Sequence, residues 1–413
     1  MWRACAILAV GAVICASQPV EKLPVLKELP AEVNFSVPNK EDLVLNCETV
    51  DKDAGVKYSW LKDGKPFSLR SDVTQKENEG TLIFKKPVDS DEGKYQCLAE
   101  TKFGVASSRI VLVKKIFIDK PQLSLQKHKP VNGRTYKLEC AIPKSYPKPE
   151  ISWIVKTGNE EKPVAGAKFT ISPEGTLYIA SVSSEDVGNK KYVCLANTPA
   201  VDQPLELAEH VLEEAIQDKE PADHEVVKQY VSNEVVAEIG KPVYLYCIYG
   251  GNPLAHPDWF KDGKDINNSP KDRVTRYNKS VGKRLLIKEV WFVDQGEYTC
   301  KVNNEVGKPQ EHTMRLKVIS APQFLKNAPP KMIVKPGSDV ALPCHVTGTP
   351  AASLTWTYNA QPLKLEAHSE SQGNTTVSTV TLKNVTPKNN GYYGCSAQNE
   401  HGTAYVETLL YVQ

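Results

Sequence analysis

The sequence predicts an all-β protein made of four tandem sandwich domains, and three observations support this prediction. A frame of cysteine, tryptophan and cysteine occurs four times, and the tryptophan always follows the first cysteine by 12 or 13 residues. A tyrosine stands two positions before each second cysteine. Alternating apolar residues flank the cysteines, as expected for strands that bury one face. Four coincidences of this kind indicate a repeated module rather than unrelated cysteine pairs.

The frame is typical of the immunoglobulin sandwich, in which a disulfide joins two facing sheets and a tryptophan packs against it. It predicts one disulfide in each domain, and the four pairs are Cys47–Cys97, Cys140–Cys194, Cys247–Cys300 and Cys344–Cys395. The tryptophans of the frame are Trp60, Trp153, Trp259 and Trp356. The tyrosine hydroxyls are expected to tie the bend between strands E and F, and they belong to Tyr95, Tyr192, Tyr298 and Tyr393.

The start of the chain is typical of a removable secretory signal, predicted at residues 1–17. Arg3 supplies a positive charge, residues 4–16 are uncharged and mostly apolar, and small residues precede Gln18. The apolar run is too short to span a membrane. The remaining cysteines form evenly spaced pairs, which indicates an oxidising extracellular compartment. Their spacing does not suit zinc, so no metal site is predicted.

A chain of 413 residues is right for four sandwiches of about 100 residues each. The predicted domains cover residues 20–114, 116–207, 230–319 and 322–413. The spacing of cysteines is about ten residues longer between domains 2 and 3 than elsewhere, and residues 208–229 are predicted to be an acidic linker. Such a linker would let the second half of the chain fold back beside the first. A longer solvated spacer in an extended rod is the alternative.

Domain 3 has a strong charge bias, with nine basic residues against three acids in residues 261–288. Some of these side chains are expected to share a face and to form a patch for phosphate or another polyanion. The hypothetical anion-binding residues are Lys271, Arg273, Arg276, Lys283 and Arg284. Two alternatives compete with this patch, namely an ion pair between Arg273 and Asp294, and neutralisation by the acidic linker of the same molecule.

Five Asn-x-Ser/Thr triplets are candidates for N-linked sugar, because this triplet is the acceptor for glycosylation in secreted proteins. The acceptor residues are Asn34, Asn267, Asn278, Asn374 and Asn384. Sugar on Asn278 would shield part of the basic stretch of domain 3.

The sequence indicates a protein without catalytic activity. It has no pair of histidines at metal-binding helical spacing, no Gly-x-Ser-x-Gly elbow and no phosphate-cradling glycine loop. All eight cysteines after the signal are committed to disulfides, so none remains as a nucleophile. The net charge of +2 points to no particular partner, and neither nucleic acid, nor a cofactor, nor a membrane-spanning segment is predicted.

Four segments resemble the hemolins, a family of secreted insect immune proteins of the blood fluid. They are QPVEK at residues 18–22, NPLAHPDWFKDGKD at 252–265, VNNEVGKPQ at 302–310 and GYYGCSAQNEHG at 391–402. The four-domain array is similar, more distantly, to the first four domains of contactin-type neural adhesion molecules. The hemolin resemblance implies a horseshoe of I-set domains, with domain 1 against domain 4 and domain 2 against domain 3.

The same resemblance implies a function. It predicts a secreted pattern-recognition protein that binds bacterial lipopolysaccharide and lipoteichoic acid, engages blood-cell surfaces, restrains blood-cell aggregation and can bind itself. No family motif assigns the bacterial ligand to particular residues, so the basic patch is a separate hypothesis. The alternative function is a homophilic cell-adhesion protein without a microbial ligand.

Overall fold

The computed structural model describes most of the chain, namely residues 5–7, 13–15, 23–38, 41–51, 55–267, 273–276, 282–363 and 368–413. In these residues the regular structure is β-strand, interrupted by 3-10 turns at Asp89–Asp91, Phe292–Asp294 and Pro387–Asn389. Strands Cys5–Ile7 and Val13–Cys15 pair antiparallel near the amino terminus. The chain divides into two compact units, of which one contains domains 1 and 4 and the other contains domains 2 and 3.

Domain 1 is a sandwich of two sheets whose strands are mostly antiparallel. Its strands, in chain order, are Glu32–Ser36, Leu43–Leu45, Lys57–Lys62, Lys65–Pro66, Val73–Gln75, Leu82–Phe84, Gly93–Thr101, Gly104–Ser107 and Val111–Ile118. Burial alternates along strand Gly93–Thr101, where Tyr95, Cys97 and Ala99 face the core. Asp63 and Gly64 take positive φ angles in the tight turn after the tryptophan strand, as the Asp-Gly pair predicts.

Domain 4 repeats this sandwich and completes the first unit. Its strands are Lys331–Val334, Val340–Thr349, Ser353–Tyr358, Gln361–Pro362, His368–Gln372, Thr375–Leu382, Gly391–Asn399 and Gly402–Val412. Strand Thr375–Leu382 alternates buried and accessible residues against Val340–Thr349, which matches the alternation in the sequence. Domain 4 therefore forms a complete sandwich although Asn389 replaces the aspartate of the other domains.

Domain 2 has the same architecture in the second unit. Its strands are Leu125–His128, Tyr136–Leu138, Ser145–Tyr146, Glu150–Thr157, Glu160–Pro163, Phe169–Ile171, Leu177–Ile179, Lys190–Asn197 and Leu205–Leu212. The described strands of domain 3 are His224–Val231, Glu234–Glu238, Val243–Asn252, Asp258–Lys261, Lys264–Asp265, Val274–Arg276, Arg284–Ile287, Gly296–Val302 and Gln310–Asn327. Both domains place their disulfide and tryptophan between two sheets.

The four disulfides join the cysteine pairs that the sequence predicts. Three of the four tryptophans are buried against them, and their indole N–H groups donate to glycine carbonyls. Trp356 of domain 4 is partly exposed and donates to the Ser378 hydroxyl at 3.0 Å instead. Each buried indole N–H thus has an acceptor, which a buried donor requires.

The bend between strands E and F has the same construction in all four domains. We call residues 88–91, 183–186, 291–294 and 386–389 the E–F turns. In each turn the side chain of the last residue accepts a hydrogen bond from the backbone N–H of the first, at 2.7–2.9 Å. The predicted tyrosine hydroxyl donates to the backbone carbonyl of that last residue in every domain. In domain 2 this bond spans six residues instead of four, so the bend is enlarged.

Domains 1 and 4 pack against each other through a small apolar cluster that includes Phe103, Tyr392 and Leu409. The Tyr392 hydroxyl lies 2.7 Å from the carbonyl oxygen of Pro24. Gly104 permits the close approach, because a Cβ atom there would lie 2.1 Å from the Asn359 amide oxygen. This pairing is one of the two that the predicted horseshoe requires.

Domains 2 and 3 form the second pairing. The backbone N–H of Gly251 donates to the carbonyl oxygen of Ala180 at 3.0 Å. Next to it, a Cβ atom on Gly250 would lie 2.6 Å from the same carbonyl oxygen, so only glycine fits. The Gln229 amide adds hydrogen bonds to the carbonyl oxygens of Tyr136 and Ile179.

The acidic linker is shorter in the structure than the residues 208–229 that the sequence predicts. Strand Leu205–Leu212 belongs to domain 2, where Leu212 is fully buried. Strand His224–Val231 belongs to domain 3, so the connection covers only residues 213–223. The predicted bounds were wrong because residues 208–212 and 224–229 pair in the sheets of domains 2 and 3. Glu209 and Glu225 lie on those strands, and a count of charges does not separate strand residues from the connection.

Candidate functional site

The five hypothetical anion-binding residues do not form one patch. Lys271 lies outside the described residues. Arg276 is opposite Leu285 in the sheet, whereas Arg284 is opposite Tyr246. Adjacent residues of a strand point to opposite faces, so Arg276 belongs to the face of buried Leu285, and Arg284 belongs to the outer face.

The hypothesis was wrong for Lys283, because only 1% of this residue is exposed. Its ammonium group donates to the carbonyl oxygen of Ala167, at 3.1 Å, in the contact between domains 2 and 3. Burial lowers the pKa of Lys283 from 10.5 to about 8. A side chain enclosed in this way cannot meet an anion from solvent. Sequence reasoning missed the burial because it arises from a neighbouring domain.

Arg273 forms the ion pair that the sequence analysis raised as an alternative. Its guanidinium makes two hydrogen bonds to the Asp294 carboxylate, which is 3% exposed. These bonds hold the pKa of Arg273 above its usual value. Arg70 and Asp91 make the same bidentate pair in domain 1. Bidentate geometry and a buried carboxylate make this pair a structural element of the E–F turn.

Arg276 also has internal partners. Its guanidinium donates to the carbonyl oxygen of Pro257 at 2.9 Å and lies 3.8 Å from the Asp258 carboxylate. Arg284 stacks on the Tyr244 ring, with its guanidinium carbon 5.3 Å from the ring centroid. Lys288 is exposed and, by the same alternation, shares the outer face with Arg284. The outer face of this sheet therefore carries a smaller basic surface than the five residues predict.

The glycosylation candidates differ in their surroundings. Asn34, Asn374 and Asn384 are exposed, and Asn278 lies outside the described residues. Asn267 is partly buried, and both the oxygen and the nitrogen of its side-chain amide form hydrogen bonds. Its oxygen accepts from the Trp259 backbone at 2.8 Å, and its nitrogen donates to Asp265 at 2.9 Å.

A buried carboxylate in the contact between domains 1 and 4 was missed by the sequence analysis. Glu407 accepts hydrogen bonds from the Ser107 backbone and hydroxyl at 2.9 and 3.0 Å, and from the Tyr405 hydroxyl at 2.8 Å. The residue as a whole is partly buried, but its carboxylate is enclosed by these groups. Burial raises the pKa of Glu407 to about 7. Donors from domain 1 enclose Glu407, so the residues around it in the sequence carry no signal for its burial.

Within the described residues, no three His, Cys, Asp or Glu side chains lie close enough together to hold a metal ion. Among those same residues no helix is both long and apolar enough to cross a membrane.

Comparison with protein families identifies the modules. The immunoglobulin I-set domain matches residues 226–318 and 322–412, and a general immunoglobulin domain matches residues 24–101 and 120–197. These matches agree with the four sandwiches of the structure.

Full-length relatives are hemolins of moths. Hemolin of Manduca sexta is 45% identical over 411 residues, which cover 98% of both chains. Hemolin of Hyalophora cecropia is 41% identical over 100% of this chain and 99% of its own. Neuroglian of Drosophila melanogaster is 33% identical over the whole of this chain, which spans 33% of neuroglian.

A crystal structure of the insect immune protein hemolin, described as having implications for homophilic adhesion, has a TM-score of 0.85 and 42% identity. It covers 95% of this chain and 100% of its own. The four amino-terminal immunoglobulin domains of Dscam1 share the fold, with a TM-score of 0.66 and 21% identity. The chain therefore belongs to the hemolin family of immunoglobulin-domain immune and adhesion proteins.

Proposed function

We propose that the protein is secreted into the blood fluid, binds lipopolysaccharide and lipoteichoic acid on bacterial surfaces, and modulates the adhesion and aggregation of blood cells. The observation that carries this proposal is the similarity to hemolins over the full length of the chain. The predicted signal at residues 1–17 supports secretion, and the four disulfides suit an oxidising compartment.

The bacterial ligand requires a revised site, because Lys283 is buried and Arg273 is committed to Asp294. We place the contact with phosphate on the outer face of domain 3, around Arg284 and Lys288. They are four residue steps apart along extended backbone, so their backbones lie about 13 Å apart. Arginine binds phosphate well because its donors match two oxygens at once.

A second candidate function is homophilic adhesion without a microbial ligand. The similarity to neuroglian favours it, as does the hemolin crystal structure whose description names homophilic adhesion. The two functions differ in their response to salt. Binding of a polyanion weakens steeply as salt is added, whereas pairing of protein faces depends on salt far less.

The test is binding of the mature protein to purified lipopolysaccharide, intact and with its phosphates removed, at low and high salt. An Arg284→Ser/Lys288→Ser variant is compared with the parent. Arg315→Ser/Lys317→Ser is the matched control, because it removes the same charges from exposed residues of the opposite sheet.

We expect intact lipopolysaccharide to bind, phosphate removal to weaken binding, and the Arg284/Lys288 variant to bind at least about tenfold more weakly than the control. Equal binding by the two variants would remove the proposed site but leave the function standing. Failure of the parent to bind at either salt concentration would favour homophilic adhesion, which sedimentation velocity then tests by self-association.

A further inference from the structure

The E–F turn of domain 3 exposes three consecutive large apolar side chains. The exposed fractions are 48% for Trp291, 42% for Phe292 and 70% for Val293. Trp291 precedes the 3-10 turn Phe292–Asp294, which leads into strand Gly296–Val302. Exposed apolar residues are common singly, but three consecutive ones at a turn indicate a contact with something outside the molecule.

The turn itself does not need the side chains of Phe292 and Val293. Its conformation is held by Asp294, which bonds the Trp291 backbone and Arg273, and by the Tyr298 hydroxyl. Domain 1 makes the same bonds with the turn sequence Val88-Asp89-Ser90-Asp91. Domains 2 and 4 have Ser-Glu and Pro-Lys at the two central positions. Phe292 and Val293 are therefore apolar for a reason other than folding.

The charges around the turn are balanced. Lys241 lies beside it through a backbone hydrogen bond with Val290, and Lys288 is exposed nearby. Glu238 and Glu289 are exposed acids on the same two segments. The Arg273 guanidinium is paired with Asp294 and stacks on Trp291, 4.1 Å from the ring centroid. A contact at this turn is thus driven by apolar burial and not by net charge.

The small size of this surface indicates the kind of partner it fits. A stable protein interface buries about 800 Å² on each side, whereas three side chains at one turn offer far less area. A fluid lipid surface can close around a small apolar group, and tryptophan favours the boundary between headgroups and acyl chains. We propose that the E–F turn of domain 3 inserts Trp291, Phe292 and Val293 into the interfacial layer of a lipid membrane.

This insertion goes beyond the proposed function and does not depend on it. Recognition of lipopolysaccharide through Arg284 and Lys288 weakens with salt, because it is electrostatic. Insertion of the turn is insensitive to salt and takes place on zwitterionic as well as anionic lipid. The two contacts can therefore fail independently.

The test measures co-sedimentation of the mature full chain with vesicles of phosphatidylcholine, alone or with one part in five of phosphatidylserine. Vesicles of brominated phosphatidylcholine report insertion, because bromine quenches a tryptophan that enters the layer. Trp291 is the most exposed of the described tryptophans, since Trp60, Trp153 and Trp259 are buried and Trp356 is only partly exposed. Quenching that the Phe292/Val293 variant loses is therefore assigned to Trp291.

The variant is Phe292→Asp/Val293→Ser, which copies the Asp89-Ser90 turn of domain 1 and keeps Trp291 as the reporter. Lys388→Ser in the equivalent turn of domain 4 is the matched control, because it changes the net charge by the same amount. Thermal unfolding of both variants checks that the fold is retained.

We expect the parent and the Lys388 control to bind both kinds of vesicle at low and high salt, with quenching of Trp291. The Phe292/Val293 variant should bind at least about tenfold more weakly and lose the quenching, because affinity follows buried apolar area. No binding by the parent, or equal binding by the variant, overturns the proposal. Binding to anionic vesicles alone that salt abolishes also overturns it, since that result is electrostatic adsorption.

Discussion

Replacement of Glu407 by glutamine tests whether a buried carboxylate makes the contact between domains 1 and 4 depend on pH. Burial raises the pKa of Glu407 from 4.5 to about 7. The folded protein therefore holds this proton more tightly than the unfolded chain does. The contact is strongest at low pH and weakens as the pH rises above about 4.5. Above about pH 7 Glu407 is ionised in the folded protein, and the contact then bears the full free-energy cost of the buried charge.

The magnitude follows from the shift. Each pKa unit corresponds to about 1.4 kcal/mol, so the cost at pH 8 is at most about 3 kcal/mol. Glu407→Gln keeps the shape of the protonated acid but has no proton to lose, so it should avoid this cost. The Ser107 donors and the Tyr405 hydroxyl remain available to its amide oxygen.

The assay is hydrogen exchange of the backbone amides in residues 105–108 and 403–408, from pH 5 to pH 8.5. Intrinsic exchange rates cancel when the parent and the variant are compared at the same pH. We expect the protection of the parent, relative to the variant, to fall by up to about a hundredfold between pH 5 and pH 8. If the ratio of amide protection in the parent to that in the variant stays constant from pH 5 to pH 8, the reasoning is refuted. Glu77→Gln, at an exposed position of domain 1, is the control and should leave the ratio unchanged.

Three further outcomes are expected. Gly250→Val should cost about 1–3 kcal/mol in thermal unfolding, because its Cβ would overlap the Ala180 carbonyl oxygen, and an unchanged melting temperature would contradict this packing. Lys283→Met should stabilise the protein at pH 7 by up to about 3 kcal/mol in denaturant unfolding. The folded state, where the lysine pKa is about 8, holds the charged lysine at a free-energy cost below that pH, and this cost vanishes toward pH 10.5. A gain in stability that is equal at pH 7 and pH 10.5 would refute this reasoning. In protein expressed in insect cells, mass spectrometry should find sugar on exposed Asn374 but not on Asn267, whose amide nitrogen is bonded to Asp265.

The sandwich architecture could be predicted because its determinants lie at fixed sequence spacing. Cys97, Trp60 and Tyr95 each have their bonding partner within a single domain, and the same spacing recurs in the other three. A disulfide, an indole hydrogen bond and a tyrosine corner are local to the repeat. The pairing of domains came from the resemblance to the hemolins, since no residue pattern within one repeat encodes it.

The anion site could not be predicted, because it depends on strand register and on neighbouring domains. Counting basic residues gave equal weight to Arg284, whose partly buried side chain lies on the outer face, and to Lys283, which Ala167 of domain 2 covers. One residue of register separates these two environments. Glu407 was missed for the same reason, since its burial comes from Ser107 about three hundred residues earlier.

The four E–F turns show where this chain tolerates substitution. Each turn keeps the acceptor side chain of its last residue and the tyrosine hydroxyl that anchors it, while the two central residues range from Asp-Ser to Phe-Val. Mutations at those central positions can thus change the surface of one domain without a penalty to its fold. The repeats give the molecule separate places at which new specificities can arise, one domain at a time.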